Sequence, residues 1–198
     1  MYGNRKLTAL AAAATFAFAL ALTACGSGGG AMTAMPAAAG DGTFGPACAG
    51  LPTDPANPGS LEAMGRQPVA TAASGNPQLS TLVAAVQQAG LVDTLNNAEA
   101  VTVFAPVNDA FAKIPKGDLD KVLADQDMLK KILTYHVVAG KIAPGQLAGM
   151  HKTLEGQDLT VSGSGSDFKV NGTSAIVCGN IPTRNATVYL VDSVLMPS

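Results

Sequence analysis

Tryptophan is missing from this chain of 198 residues, arginine occurs only as Arg5, Arg66 and Arg184, and histidine only as His136 and His151. Each shortage excludes something. With 12 basic against 14 acidic side chains and a net charge of −2, no basic stripe exists to neutralise phosphates, which excludes nucleic acid as a partner. A hydrolase needs a nucleophile beside a positioned base. Here there is no Gly-x-Ser-x-Gly elbow, and neither His136, in an apolar run, nor His151, beside Lys152, has an evident carboxylate partner. Asp118, Asp120, Asp125 and Asp127 lie close together, but they lack the alternating oxygen ligands, central glycine and distal glutamate of a calcium loop. Helix starts and solvated faces suit them better. Ser162 to Ser166 alternates serine and glycine without the lysine of a phosphate-binding loop, so it reads as a hairpin tip. No catalytic residue, metal or cofactor is expected. Beyond Leu22 no apolar run is long enough to cross a membrane.

The front of the chain does carry a signal. Arg5 and Lys6 precede an apolar run from Leu7 to Leu22, the layout of a secretory segment ending in small residues. Leu22-Thr23-Ala24-Cys25 resembles the bacterial lipobox. That resemblance implies a signal peptide over residues 1–24, and a Cys25 that is lipidated on its sulfur and left as the first residue of an acylated protein. The alternatives are a plain signal peptide with a chance cysteine, or an uncleaved membrane helix. Residues 25–42 are rich in Gly, Ala, Met and Pro and too poor in branched apolar side chains to bury anything, so they read as a tether. About 17 such residues span roughly 20–25 Å as a random coil, enough to clear lipid headgroups. Thr33 and Thr43 lie in or beside this tether, where similar surface lipoproteins can carry sugars.

Three cysteines leave one unpaired, and a lipid on Cys25 resolves the count. Cys48 and Cys178 then remain in an oxidising compartment, where a disulfide is the simplest expectation. Closing about 130 residues would restrict the unfolded chain by at most roughly 5 kcal/mol. It would fasten a Pro/Gly-rich arm, residues 43–58, onto the domain that follows, residues 59–198. Cys178 as a reactive thiol is the alternative, but it needs an activating base that the sequence does not show.

Within that domain Asn76-Pro77 predicts a helix start, followed by Leu79, Leu82, Val83 and Val86 on one face and a stop at Gly90. Val101 to Phe104 predicts a strand stopped by Pro106, and Asn108 a cap for a short helix carrying Phe111 and Ile114. Met128, Leu129, Ile132 and Leu133 mark another helical face. Tyr135-His136-Val137-Val138 reads as the start of a strand, whose alternation would send Tyr135 and His136 to opposite faces. Pro144 to Leu147 forms a turn of helix. Short strands are expected at Leu154, Leu159–Val161, Phe168–Val170, Ala175–Val177 and Val188–Val191, with turns at Gly156-Gln157, Gly163–Ser166 and Asn171-Gly172. Asn171-Gly172-Thr173 and Asn185-Ala186-Thr187 fit the glycosylation pattern, although turn chemistry explains Asn171 equally well. Helices first and strands later in one domain predict an α+β fold.

Thr102-Val103-Phe104-Ala105-Pro106-Val107-Asn108-Asp109-Ala110-Phe111 resembles the first signature of the fasciclin-type domain, and Leu133-Thr134-Tyr135-His136-Val137-Val138-Ala139-Gly140 its central tyrosine-histidine segment. Asn171-Gly172 and Ala186 through Pro197 are similar to its closing strands. With the lipobox and the two further cysteines, the whole chain resembles the secreted and surface fasciclin antigens of mycobacteria and related actinobacteria. The resemblance implies a single fasciclin-type domain, a β-wedge with helices packed along it, a disulfide from the N-terminal arm to the body, and a role in adhesion or host contact. It implies Tyr135 and His136 as candidate partner-binding residues. Read physically, His136 is more simply a buried histidine with both ring nitrogens hydrogen-bonded.

The expected protein is a monomer held by lipid at Cys25 on the outer face of the cell membrane, and partly shed. It would meet a host-cell or matrix protein, or a surface glycan or lipid. Two alternatives stand beside adhesion. The acylated N-terminus would be what the host senses, through Toll-like receptor 2, with the domain as carrier; or a cleft between helices and wedge would hold a small apolar ligand.

Overall fold

The computed structural model describes residues 42–197. The expected signal segment, Cys25 and the tether through Asp41 lie outside the described residues. After a 3₁₀ turn at Pro46–Gly50 come helices α1 (Leu61–Gly65) and α2 (Val69–Ser74), a 3₁₀ turn at Pro77–Leu79, α3 (Ser80–Gln88) and α4 (Val92–Asn97). Strand β1 (Val101–Pro106) leads into α5 (Asn108–Ala112), α6 (Lys116–Ala124) and α7 (Gln126–Tyr135). The rest is β2 (Val137–Ala139), a 3₁₀ turn at Pro144–Gln146, β3 (Gly149–Lys152), β4 (Asp158–Ser164), β5 (Asp167–Val170), β6 (Ser174–Pro182) and β7 (Ala186–Val191).

Local chemistry sets these boundaries. The Asn76 side chain accepts from the Gln78 N–H at 2.9 Å, and Pro77 supplies the fixed φ of a first helical position. Gly90, at φ +68°, turns the chain out of α3. Asp125 caps α7 by accepting from the Asp127 and Met128 N–H groups, each at 3.0 Å, so this part of the acidic cluster serves helix starts. On α7, Leu129, Ile132 and Leu133 are buried as their spacing demands, whereas Met128 is 47% exposed and stands outside the core.

The seven described strands form one sheet in the order β2-β1-β7-β6-β5-β4-β3, with β1 and β7 parallel and the other pairs antiparallel. The ends of the sheet nearly close on each other: Val138 bridges Thr153, and the Leu154 N–H donates to the Val137 carbonyl at 2.8 Å. Period-2 alternation in the central strands feeds two cores. Val101, Val103 and Ala105 of β1, with Ala186, Val188 and Leu190 of β7, face the helices. Phe104, Tyr189 and Val191 point the other way, into the wedge, against Leu159, Val161 and Phe168. Buried on both sides, β1 has no exposed face, while β4 alternates buried Leu159 and Val161 with exposed Thr160 and Ser162. The fold is α+β, and residues 42–197 contain both hydrophobic clusters and the disulfide.

Two expectations are corrected. The strand expected at Leu154 lies earlier, at Gly149–Lys152; it has little β propensity of its own and forms by pairing with β4, while Leu154 is exposed beyond it. Asn108 does not cap its own helix, whose N-cap is Val107. Its side chain accepts from the Thr81 N–H at 3.0 Å and donates to the Pro77 carbonyl at 2.9 Å, satisfying the start of α3 instead. An asparagine at a helix start can reach any nearby orphan donor, and here the neighbouring helix presents one.

Candidate functional site

The tyrosine-histidine segment ends a helix and does not begin a strand. Tyr135 is the last residue of α7, and His136 follows in αR conformation as its C-cap. Helical spacing therefore replaces alternation, and both side chains are buried, at 3% and 2% exposure. Tyr135 joins the wedge core, where its hydroxyl accepts from Asn171 Nδ2 at 2.9 Å. His136 Nε2 faces the backbone N–H of Leu195 at 3.0 Å, and Nδ1 lies 2.8 Å from the Ile132 carbonyl. An amide N–H only donates, so Nε2 must be the acceptor, and the ring proton is on Nδ1, donated to Ile132. Burial pushes the pKa of His136 down from 6.5 to about 4, with the Ile132 carbonyl offsetting part of that loss. The neutral ring thus ties the C-terminal segment to α7.

The arm is fastened at three successive points. Phe44 and Gly179 exchange backbone hydrogen bonds at 3.2 and 2.7 Å. The Phe44 ring packs at a tilt against Phe168 and Tyr189, with centroids 5.5 and 6.2 Å away. A Cβ on Gly179 would collide with Phe44 Cζ, so a side chain there would have to push the ring aside. Cys48 is joined to Cys178, with Cα atoms 5.0 Å apart across 130 residues of sequence. Sequence reasoning reached the cysteines but not Phe44, whose signal, an isolated aromatic in a glycine-rich stretch, is weak on its own.

Two asparagines in glycosylation-like triplets act as struts between elements, Asn171 exposed and Asn185 half-buried. Asn171, at φ +51° in the β5–β6 turn, exchanges bonds with Thr160 of β4 as well as meeting Tyr135. The Asn185 side chain accepts from the Val69 N–H at 2.9 Å and donates to the Leu95 and Ala98 carbonyls, both at 2.8 Å. It thereby serves the start of α2 and the end of α4 together. Asn96 adds a bond from the Ala70 N–H at 3.1 Å.

Both histidine rings are tied to backbone groups. Both nitrogens of His136 are engaged, and His151 Nε2 lies 2.8 Å from the Leu147 carbonyl. Among the described residues no group of three or more His, Cys, Asp or Glu could hold a metal ion, and no helix is long and apolar enough to cross a membrane. Lys113 reaches Asp192 at 2.9 Å on the surface. Partial burial works to raise the Asp192 pKa, but the bonds from Lys113, Ala175 and Ser193 together hold it below the ordinary carboxylate value. The helices also enclose an apolar cavity of about 140 Å³ against the sheet.

A nearly closed wedge, stiffened by a disulfide and polar struts and flanked by helices, defines a scaffold of α+β class. The model of the fasciclin domain matches residues 77–197, and the chain belongs to the fasciclin family. Over 168 residues it is 49% identical to the immunogenic protein MPB70 of Mycobacterium bovis, covering 82% of this chain and 86% of that protein. Over 149 residues it is 50% identical to the cell surface glycolipoprotein MPB83 of the same species, covering 73% of this chain and 67% of that one. The fold matches the FAS1 domain pair of the insect cell adhesion molecule fasciclin I with a TM-score of 0.54 at 17% identity. That match covers 66% of this chain and 51% of the pair, so the chain spans about half of it, and the likeness is one of fold.

Proposed function

We propose that this chain is a surface lipoprotein, processed at Cys25 and held on the outer face of the cell membrane, whose fasciclin domain makes contact with other surfaces. The observation that carries this is the coincidence of Leu22-Thr23-Ala24-Cys25 with 50% identity to a cell surface glycolipoprotein. One acyl chain gives only marginal attachment, about 10⁴ M⁻¹, whereas the two or more supplied by lipoprotein processing anchor durably. The domain acts as a monomer and without a catalytic step, presenting its exterior to a host-cell or matrix protein, or to a surface glycan or lipid. Tyr135 and His136 support that exterior from inside, so substituting either weakens binding by loosening the fold.

The test compares the unlipidated domain, residues 42–198 with Cys48 and Cys178 oxidised, with the acylated protein in binding to host cells and matrix proteins. Binding by the unlipidated domain is the expected result. Activity found only in the acylated form would overturn the adhesion reading and move the function to the lipid at Cys25.

A further inference from the structure

The apolar cavity lies where α2, α3 and α4 lean against β1 and β7. Leu82 and Val86 of α3, Val103 of β1 and Val188 of β7 are buried in its wall, while Leu91 and Leu95 are only half-buried there. Thr71, Ser74, Gln87 and Thr94 are exposed lining residues, so the space has an outlet to solvent. Leu154, 47% exposed, also lines the space and is a large apolar side chain that the fold leaves uncovered.

Three properties define what fits. No Asp, Glu, Lys or Arg lines the space, and His136, at its inner end, has both nitrogens engaged, so a charged occupant would lose its hydration and gain no partner. The buried walls offer water few hydrogen bonds, which favours hydrocarbon over solvent. Packed interiors leave few voids larger than a water molecule, whereas a cavity of about 150 Å³ accepts a benzene ring. We propose that this cavity is a binding site for an uncharged apolar group, either a single aromatic ring or the last ~5–6 carbons of a hydrocarbon chain. This reaches beyond surface adhesion and does not depend on it.

The experiment is a titration of the domain, residues 42–198, with benzene, followed by amide chemical shifts. Benzoate serves as the charged comparison, and Val83→Phe and Leu91→Trp as two separate ways of filling the space. Saturable shifts at Val86, Leu95, Val103 and Val188 are expected, together with binding weakened at least about tenfold in whichever filled variant folds natively. Benzoate should not bind. Displacement of benzene by 1-octanol would make the natural group the end of a longer chain, while benzene retained against 1-octanol would make it a free ring-sized molecule. Unmoved amides up to the solubility of benzene, undiminished binding in a folded filled variant, or equal binding of benzoate would each overturn the proposal.

Discussion

Acid should weaken this domain through one side chain, and the size of the effect follows from where that side chain lies. His136 is buried with Nε2 facing the N–H of Leu195. A proton added to Nε2 would confront another donor, so the folded protein takes it up only at about pH 4, while the unfolded chain does so at 6.5. Above pH 6.5 neither state binds that proton and the stability is complete. Between 6.5 and about 4 the unfolded state alone binds it, so stability falls as pH falls, by ~1.4 kcal/mol for each pH unit and roughly 3 kcal/mol in all. Below about pH 4 both states are charged and His136 costs nothing more. Asp192, held below the ordinary carboxylate value, contributes stability that is lost only as pH falls through that lower range, so the two windows are separate. The chain has no tryptophan, so unfolding is best followed by circular dichroism in urea, from about pH 7 to about pH 4.5. His136→Gln removes the titrating group, and the comparison rests on slope against pH, not on absolute stability. The wild type should lose stability more steeply than the variant across this window. Equal slopes, or a His136 ring that titrates near 6.5 in the folded protein, would refute the reasoning.

Three further outcomes are expected. Replacing Cys48 and Cys178 together by serine should lower stability by about 2–5 kcal/mol and open the arm to protease between Phe44 and Gly59, as read by urea titration and limited proteolysis. Gly179→Ala should drive Phe44 from its place between Phe168 and Tyr189 and cost about 1–3 kcal/mol, seen as a lower melting temperature and a changed near-ultraviolet aromatic signal. Asn185→Ala strands the Leu95 and Ala98 carbonyls and the Val69 N–H. About 2 kcal/mol should be lost, or roughly 4–8 °C in melting temperature, and Asn185→Asp should not restore it because the two donated bonds stay missing.

Where a residue's role is local, the sequence disclosed it. Asn76-Pro77 and Gly90 bound a helix by chemistry that acts within a few residues, and the alternating strands β4 and β5 show one wet and one dry face. Roles set by distant neighbours stayed hidden. Nothing around Asn185 reveals that α2 starts and α4 ends beside it, and nothing around Gly179 reveals an aromatic ring overhead. The two short helices α1 and α2 went unseen because five or six residues, several of them alanine, carry too little periodicity to register. Tyr135-His136 departs from expectation for a related reason: Tyr-His-Val-Val has the composition of a strand, yet the helix that begins at Gln126 continues through Tyr135. The candidate site was accordingly legible as residues and illegible as geometry, since two side chains expected on opposite faces are both interior.

In the proposed function the folded domain itself binds, with the Tyr135–His136 junction acting from inside. The decisive measurement is cell and matrix binding by oxidised wild-type domain and by its Tyr135→Phe and His136→Gln variants, each expressed per folded molecule from circular dichroism at neutral pH. Equal binding per folded molecule is the predicted result. Binding lost in a variant that remains fully folded would contradict it and make the junction a contact surface.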